Sequence, residues 1–393
     1  MAQFLQCVLL ILLLFVCMEN VQVDGTLSKK AKQKKNKKLK NQQAVSNVIT
    51  RGLVTETPRI RDILKHHSKY YKNVSLQNFE GDVLAYVTPW NSHGYDVAKA
   101  FGAKFTYVCP VWLQIKRRKS GSISIEGSHD IDKGWLEDVK KSNDKAKILP
   151  RVLFDQWTYN DFHIVLSSEP ALTSLVDVVT SFCQNHGFDG VVLEVWSQYS
   201  GDTKEGLYLL VSKLADALHK AKMKLILVIP PPIHAGNKRG TFDKNDFELL
   251  FPVLDGFSLM TYDYSSPGRP GPNAPIAWVN DCVLALSPEA GKQRSKIMMG
   301  LNFYGFDYSV TGSGAITYER YLELLEKNKD GKLTWEKTSA EHLMKFSSAG
   351  GDHMVWYPTL KSIQARLDLA RDLGVSIAIW EIGQGLDYFY DLL

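Results

Sequence analysis

Residues 188 to 196 read FDGVVLEVW: Phe188, Asp189, Gly190, Val191, Val192, Leu193, Glu194, Val195 and Trp196. An Asp-Gly pair opens a short run of β-branched and aliphatic residues, as in a strand covered on both faces. Two features do not fit a plain core strand. Glu194 sits inside the apolar run, where a charge is costly unless paired or protonated. The run then closes on a tryptophan.

Seven other segments share this character: 82–88, 105–112, 147–154, 224–230, 255–264, 295–305 and 375–383. Between them lie helical patterns such as 169–187, 204–222 and 359–374, the last with apolar residues at i, i+3, i+4 and i+7 and a glycine stop. Strand and helix alternating eight times predicts an α/β chain folded as a (β/α)8 TIM barrel. An open doubly wound sheet is the alternative, but no G-x-G-x-x-G follows the first strand, and eight strands favour closure. The longest gap, 307–352, predicts a modest insertion between strands seven and eight. It carries an amphipathic helix pattern, TYERYLELLEKNK (317–329), and Trp335.

The barrel is assigned to 79–393. Ahead of it, 26–78 reads as a polar, lysine-rich flexible leader with a helix near 59–71, and 1–25 as a secretory signal peptide. The apolar stretch from Phe4 to Met18 is shorter than the ~20 residues a membrane span needs. No membrane span is therefore expected in the mature chain, and the location is secreted or lysosomal. The net charge of +5 is concentrated in Lys29 to Lys40, which holds eight lysines and no acid. Such a run is a solvated tail or a polyanion contact. It lacks interleaved aromatics, which argues against nucleic acid. Cys109, Cys183 and Cys282 remain after signal removal, as buried thiols or as one disulfide and a free thiol. Asn73-Val-Ser75 is the single N-glycosylation sequon.

In a (β/α)8 barrel the chemistry gathers at the strand C-termini. Those ends carry Tyr86 and Trp90 (strand one), Trp112 (two), Glu194 and Trp196 (four), and Tyr262 and Asp263 (six). Tyr304 follows strand seven, and Trp380 and Glu381 close strand eight. Aromatic faces stack on pyranose rings while carboxylates bind hydroxyls, so the rim suits saccharides. No H-E-x-x-H, cysteine–histidine cluster, P-loop or G-x-S-x-G elbow occurs, and no metal or other cofactor is expected.

Four motifs, AYVTPWNSHGYD (85–96), FDGVVLEVW (188–196), LMTYDY (259–264) and AIWEIGQG (378–385), resemble those of family 18 glycoside hydrolases, the chitinases and chitinase-like lectins. Active members carry D-x-x-D-x-D-x-E on strand four, and the last Glu is their acid. Their nucleophile is the substrate's own N-acetyl carbonyl, a departure from the two-carboxylate scheme. Laid on this sequence, the four positions are Asp189, Val192, Glu194 and Trp196. With Trp196 at the acid position and expected to fill the barrel mouth, the resemblance implies a chain that is not an enzyme. It would be a saccharide-binding lectin for chitooligosaccharide or N-acetylglucosamine-type glycans. Tyr86, Trp90, Trp112, Glu194, Trp196, Tyr262, Asp263, Tyr304 and Trp380 would form the binding set. Lipopolysaccharide, a stabilin-type scavenger receptor and a role in innate immunity are further implications. The alternatives are a glycosidase with a displaced acid, Glu194 or Glu381, and a sorting adaptor with a vestigial cleft.

Overall fold

All eight apolar runs contribute parallel strands to one barrel. The structure, a computed structural model, describes residues 43–199, 204–310 and 312–393. The expected signal peptide and the lysine run lie outside these. The barrel strands are β1 (Val83–Val87), β2 (Tyr107–Pro110), β3 (Lys147–Ile148 and Arg151–Phe154) and β4 (Gly190–Glu194). They continue as β5 (Lys224–Ile229), β6 (Gly256–Leu259), β7 (Ile297–Asn302) and β8 (Ser376–Trp380). Parallel registers run from β4 through β8, and β8 pairs with β1.

Closure on the other side passes around a break in β3. Its first segment pairs with β2 (Tyr107↔Lys147), while its second pairs with β4 (Val152↔Leu193). The break falls at Leu149–Pro150, where proline has no amide hydrogen to give a ladder. The extension of strand two, Leu113–Arg117, bridges the gap by pairing with the second segment (Leu113↔Val152).

Alternation along each strand sorts side chains into two cores. Leu84, Tyr86, Cys109, Val192, Ile226, Val228, Met298 and Ala378 pack inside the barrel. Val83, Ala85, Val191, Leu193, Leu225 and Leu227 face the surrounding helices. Cys109, Cys183 and Cys282 are all buried free thiols. The opening Asp-Gly pair is structural. Asp189 accepts hydrogen bonds from Ile148 N (2.8 Å) and Lys140 Nζ (3.1 Å), tying β4 to β3. Gly190 has φ +151°, and a Cβ there would lie 2.1 Å from the Lys224 carbonyl oxygen.

The insertion between β7 and β8 is larger in structure than its sequence suggests. It is a five-stranded antiparallel sheet, in the order 314–316, 305–309, 351–356, 341–348, 333–336, with the predicted helix at Tyr318–Lys327.

The reading of 26–78 as flexible leader needs correction over 44–78. Val48, Ile60, Ile63 and Tyr70 are buried in the main core. Asp391 accepts hydrogen bonds from the backbone amides of Val48 (3.1 Å) and Tyr71 (2.7 Å). The short helix is Ile60–His66. These few anchors are spaced too irregularly for a sequence period to show, yet they hold the segment against the end of the chain. Asn73 is exposed. Among the described residues no single helix is long and apolar enough to cross a membrane.

Candidate active site

The C-terminal mouth of the barrel is built from the ends of β3, β4, β6, β7 and β8. Glu194, the last residue of β4, shares its face with Val192, which packs inside the barrel, so its side chain enters the mouth. Arg151 of β3 meets it there, Nη1 to Oε2 at 2.9 Å, with Arg151 12% and Glu194 15% exposed. A charged pair at this burial satisfies the carboxylate that looked out of place in the sequence. Ser197 Oγ lies 3.4 Å from the other oxygen, Oε1. Arg151 Nε is buried and has no hydrogen-bond partner.

Beyond β6 the chain presents Tyr262 and Asp263. Asp263 has φ +59°, a left-handed conformation that Asp tolerates better than most residues. Its amide donates to Asn273 Oδ1 at 2.6 Å, and its carboxylate accepts from the Tyr304 hydroxyl. Asp263 reaches solvent through the mouth but is crowded by protein elsewhere; desolvation raises its carboxyl pKa, and the Tyr304 bond partly opposes this. The Tyr262 hydroxyl is pushed well above its usual range by burial, then by the charges of Asp263 and Glu194, so it senses both carboxylates. Trp380 lies partly buried on the inner core, 5.1 Å from the Tyr86 ring. Trp90 stands out at the rim, 46% exposed.

Several predicted contacts belong elsewhere. Trp196 is 1% exposed and packs outward on Phe242 (4.9 Å) and Tyr208 (5.9 Å), with Nε1 donating to the Thr241 carbonyl at 3.1 Å. The strand stops at Glu194, and a turn closed by Gln198 N to Val195 O (3.0 Å) ends the alternation that would have pointed Trp196 inward. Trp112 is fully buried, with Nε1 bonded to the Tyr95 hydroxyl at 2.7 Å and its ring against Trp135. Tyr86 lies beneath the mouth, 2% exposed, its hydroxyl 2.8 Å from Ser258 Oγ. It supports Trp380 and does not line the opening.

Glu381 also leaves the mouth. It is fully buried, accepting from Asn91 Nδ2 at 2.5 Å and from Gly383 N at 2.9 Å. Burial raises its pKa to about 7, against the lowering effect of those bonds. It caps a backbone turn and cannot serve as a displaced acid. Arg151 is a mouth residue that the sequence motifs do not single out. Its signal is an arginine directly after the proline of an apolar strand, KILPRVLF (147–154), which needs a partner of its own. No group of three or more His, Cys, Asp or Glu side chains suited to a metal ion occurs among the described residues.

The family model Glycosyl hydrolases family 18 matches residues 82–385, and the chain belongs to that family. The cortical fragment-lytic enzyme of Bacillus subtilis (strain 168) is 22% identical over 229 residues, 56% of this chain and 52% of that protein. The chain thus spans about half the length of that relative. Human chitinase-3-like protein 2 is 24% identical over 288 residues, 63% of this chain and 71% of that protein. Among solved structures, a chitinase from Chromobacterium violaceum superposes with a TM-score of 0.67 at 20% identity, over 79% of this chain and 98% of the other. A Cycas revoluta family 18 chitinase bound to (GlcNAc)4 gives 0.63 at 14% identity, over 79% of this chain and 98% of the other.

These relatives overturn the expectation that the chain is not an enzyme, because those it matches include proteins named as lytic enzymes and chitinases. The geometry shows where that expectation went astray. It rested on Trp196 standing at the acid position of the strand-four motif, and it placed that ring in the mouth; the ring is instead packed outside the barrel, and Glu194 stands in the opening.

Proposed function

We propose that this chain is a family 18 glycosidase that binds N-acetylglucosamine-containing oligosaccharides across the barrel mouth. One observation carries the reading: Glu194 enters the mouth paired with Arg151, while Asp263, two strands away, is a carboxyl whose pKa is raised by its surroundings. Two carboxyl groups held in contrasting environments supply an acid and a charge-stabilising partner, while the substrate's own N-acetyl carbonyl acts as nucleophile, as the family resemblance implies. Asp263 supplies the proton to the departing oxygen. Glu194, as an ion-paired carboxylate, stabilises the positive charge that builds on the sugar. Trp380 offers a ring face to the pyranose, and Trp90 extends the platform at the rim.

The test is turnover of N-acetylated chitooligosaccharides and peptidoglycan fragments by the full chain. Supporting results are glycan cleavage that Glu194→Gln removes while the fold is kept. Absence of cleavage in the wild type on both substrate classes sinks the proposal. Secretion, a lysosomal destination and a glycan on the exposed Asn73 belong to the same proposal. Lipopolysaccharide, with its glucosamine sugars, and a stabilin-type scavenger receptor complete it as further partners, tested by titration against the same protein.

A further inference from the structure

Three neighbouring strands of the insertion place Asp307, Ser348 and His353 together. Asp307 lies on Gly305–Ser309, Ser348 ends Glu341–Ser348, and His353 lies on Gly351–Trp356, the strand between them. His353 Nδ1 lies 2.9 and 3.1 Å from the two carboxylate oxygens of Asp307. Its Nε2 lies 3.0 Å from Ser348 Oγ. Asp307 is 7% exposed, His353 is partly buried, and Ser348 is exposed.

The hydrogen positions follow from the partners. An ionised carboxylate only accepts, so Nδ1 carries the hydrogen and donates it to Asp307. Nε2 is then the free acceptor and takes the Ser348 hydroxyl hydrogen. Gly350 N–H donates to Ser348 Oγ at 3.0 Å, and of the two acceptors facing the hydroxyl hydrogen the imidazole Nε2 at 3.0 Å is nearer than the Gly351 carbonyl at 3.5 Å. Phe346 stacks on the ring, centroids 4.5 Å apart and planes 7° from parallel. Asp307, Ser348 and Phe346 together fix the imidazole in position and tautomer. A purely structural role explains less. The hairpin is already registered from Leu343↔Trp356 to Ser348↔Gly351, and Ser347 Oγ bonds Asp352 at 2.6 Å.

We propose that Ser348, His353 and Asp307 form an acyl-transfer site that hydrolyses small carboxylic esters, separately from glycoside cleavage. Ser348 Oγ attacks the acyl carbonyl carbon as its proton passes to His353 Nε2, and Asp307 stabilises the imidazolium. The tetrahedral adduct breaks its bond to the alcohol, which leaves with the proton from Nε2. Water then repeats the sequence on the acyl-serine, releasing the carboxylic acid and restoring the serine. Small esters fit because Ser348 stands exposed beside the hairpin turn, reachable without a channel. Tyr308, next to Asp307 in a strand, points to the opposite face, where its hydroxyl pKa is raised by burial and by the charges of Asp263 and Glu341. The serine therefore works on the side of the sheet turned away from Asp263.

The full chain is treated with a fluorophosphonate probe and, separately, with p-nitrophenyl acetate. Expected are one label per chain at Ser348, its loss in Ser348→Ala, and ester turnover lowered ~10²–10⁴-fold in His353→Gln. Asp307→Asn should lower turnover by up to about 10⁴-fold, since it disturbs the tautomer. Glycan turnover should persist in Ser348→Ala, which separates this site from the barrel mouth. If Asp307→Asn loses its fold, the exposed Ser348→Ala still decides. Wild-type labelling or ester turnover no greater than that of Ser348→Ala overturns the proposal and leaves the cluster as a brace for the hairpin.

Discussion

Barrel strands four and eight both end near a glutamate and a tryptophan, yet they use them oppositely. In β4 Glu194 turns into the mouth and Trp196 is buried among the outer helices. In β8 Trp380 packs on the inner core, and Glu381, one residue on, is buried outside it, capping a turn. Residue type is thus a poor guide to role at a strand end. The face on which the residue falls, and the point where pairing stops, decide it.

The sharpest way to break this contrast is to neutralise each glutamate. Glu194→Gln should cut glycoside turnover by ~10²–10⁴-fold, as loss of a positioned catalytic carboxylate does, with a lowered melting temperature because Arg151 loses its charge partner but with the fold kept. Comparable loss from Glu381→Gln at an unchanged melting temperature would show that the assignment is reversed.

The tryptophans give the next largest effect. Trp196→Ala should cost about 3–5 kcal/mol of stability in denaturant unfolding, because it empties a packed aromatic site. Glycan affinity per folded molecule should hold. An affinity loss without destabilisation would return Trp196 to the mouth.

Glu381 makes a prediction about pH. Its folded pKa, raised to about 7, exceeds the ordinary glutamate value of 4.5 expected in the unfolded chain. The native state therefore binds its proton more tightly than the unfolded chain does. That contribution to stability is present below pH 4.5 and is lost as pH rises through 7. The loss amounts to about 3 kcal/mol. Unfolding measured at pH 5 and pH 8 should show wild type losing this increment relative to Glu381→Gln. Parallel pH profiles of the two proteins would contradict the burial argument.

Trp380→Ala should be the mildest of the four. Removing one stacking face weakens oligosaccharide binding by about 0.5–1.5 kcal/mol. Tryptophan fluorescence titration checks it, with Trp90→Ala as the rim comparison.

Much of the architecture was legible in the chain. Eight β-branched runs at intervals, separated by helical periods, specify a barrel because parallel strands need cover on both faces. The motif at 188–196 also marks β4 as the strand that matters. Less was legible at its end. Counting alternation past Glu194 puts Trp196 inside, since nothing local announces that the ladder stops there. Trp112 misleads similarly, following a proline where strand two kinks before resuming at Leu113. Arg151 escapes notice because its partner lies 43 positions away. The insertion shows its helix by period, but its strands are short and mixed, so the sheet emerges only once they pair.

The sequence by itself determined the barrel, its order of strands and the presence of a carboxylate in β4, because period and composition are local properties. Tertiary structure alone decided which side chains share the mouth. Where each strand leaves its ladder, and which distant group meets each carboxylate, depend on contacts between residues far apart in the chain. Glu194 has a function to propose because Arg151 reaches it and Trp196 turns away.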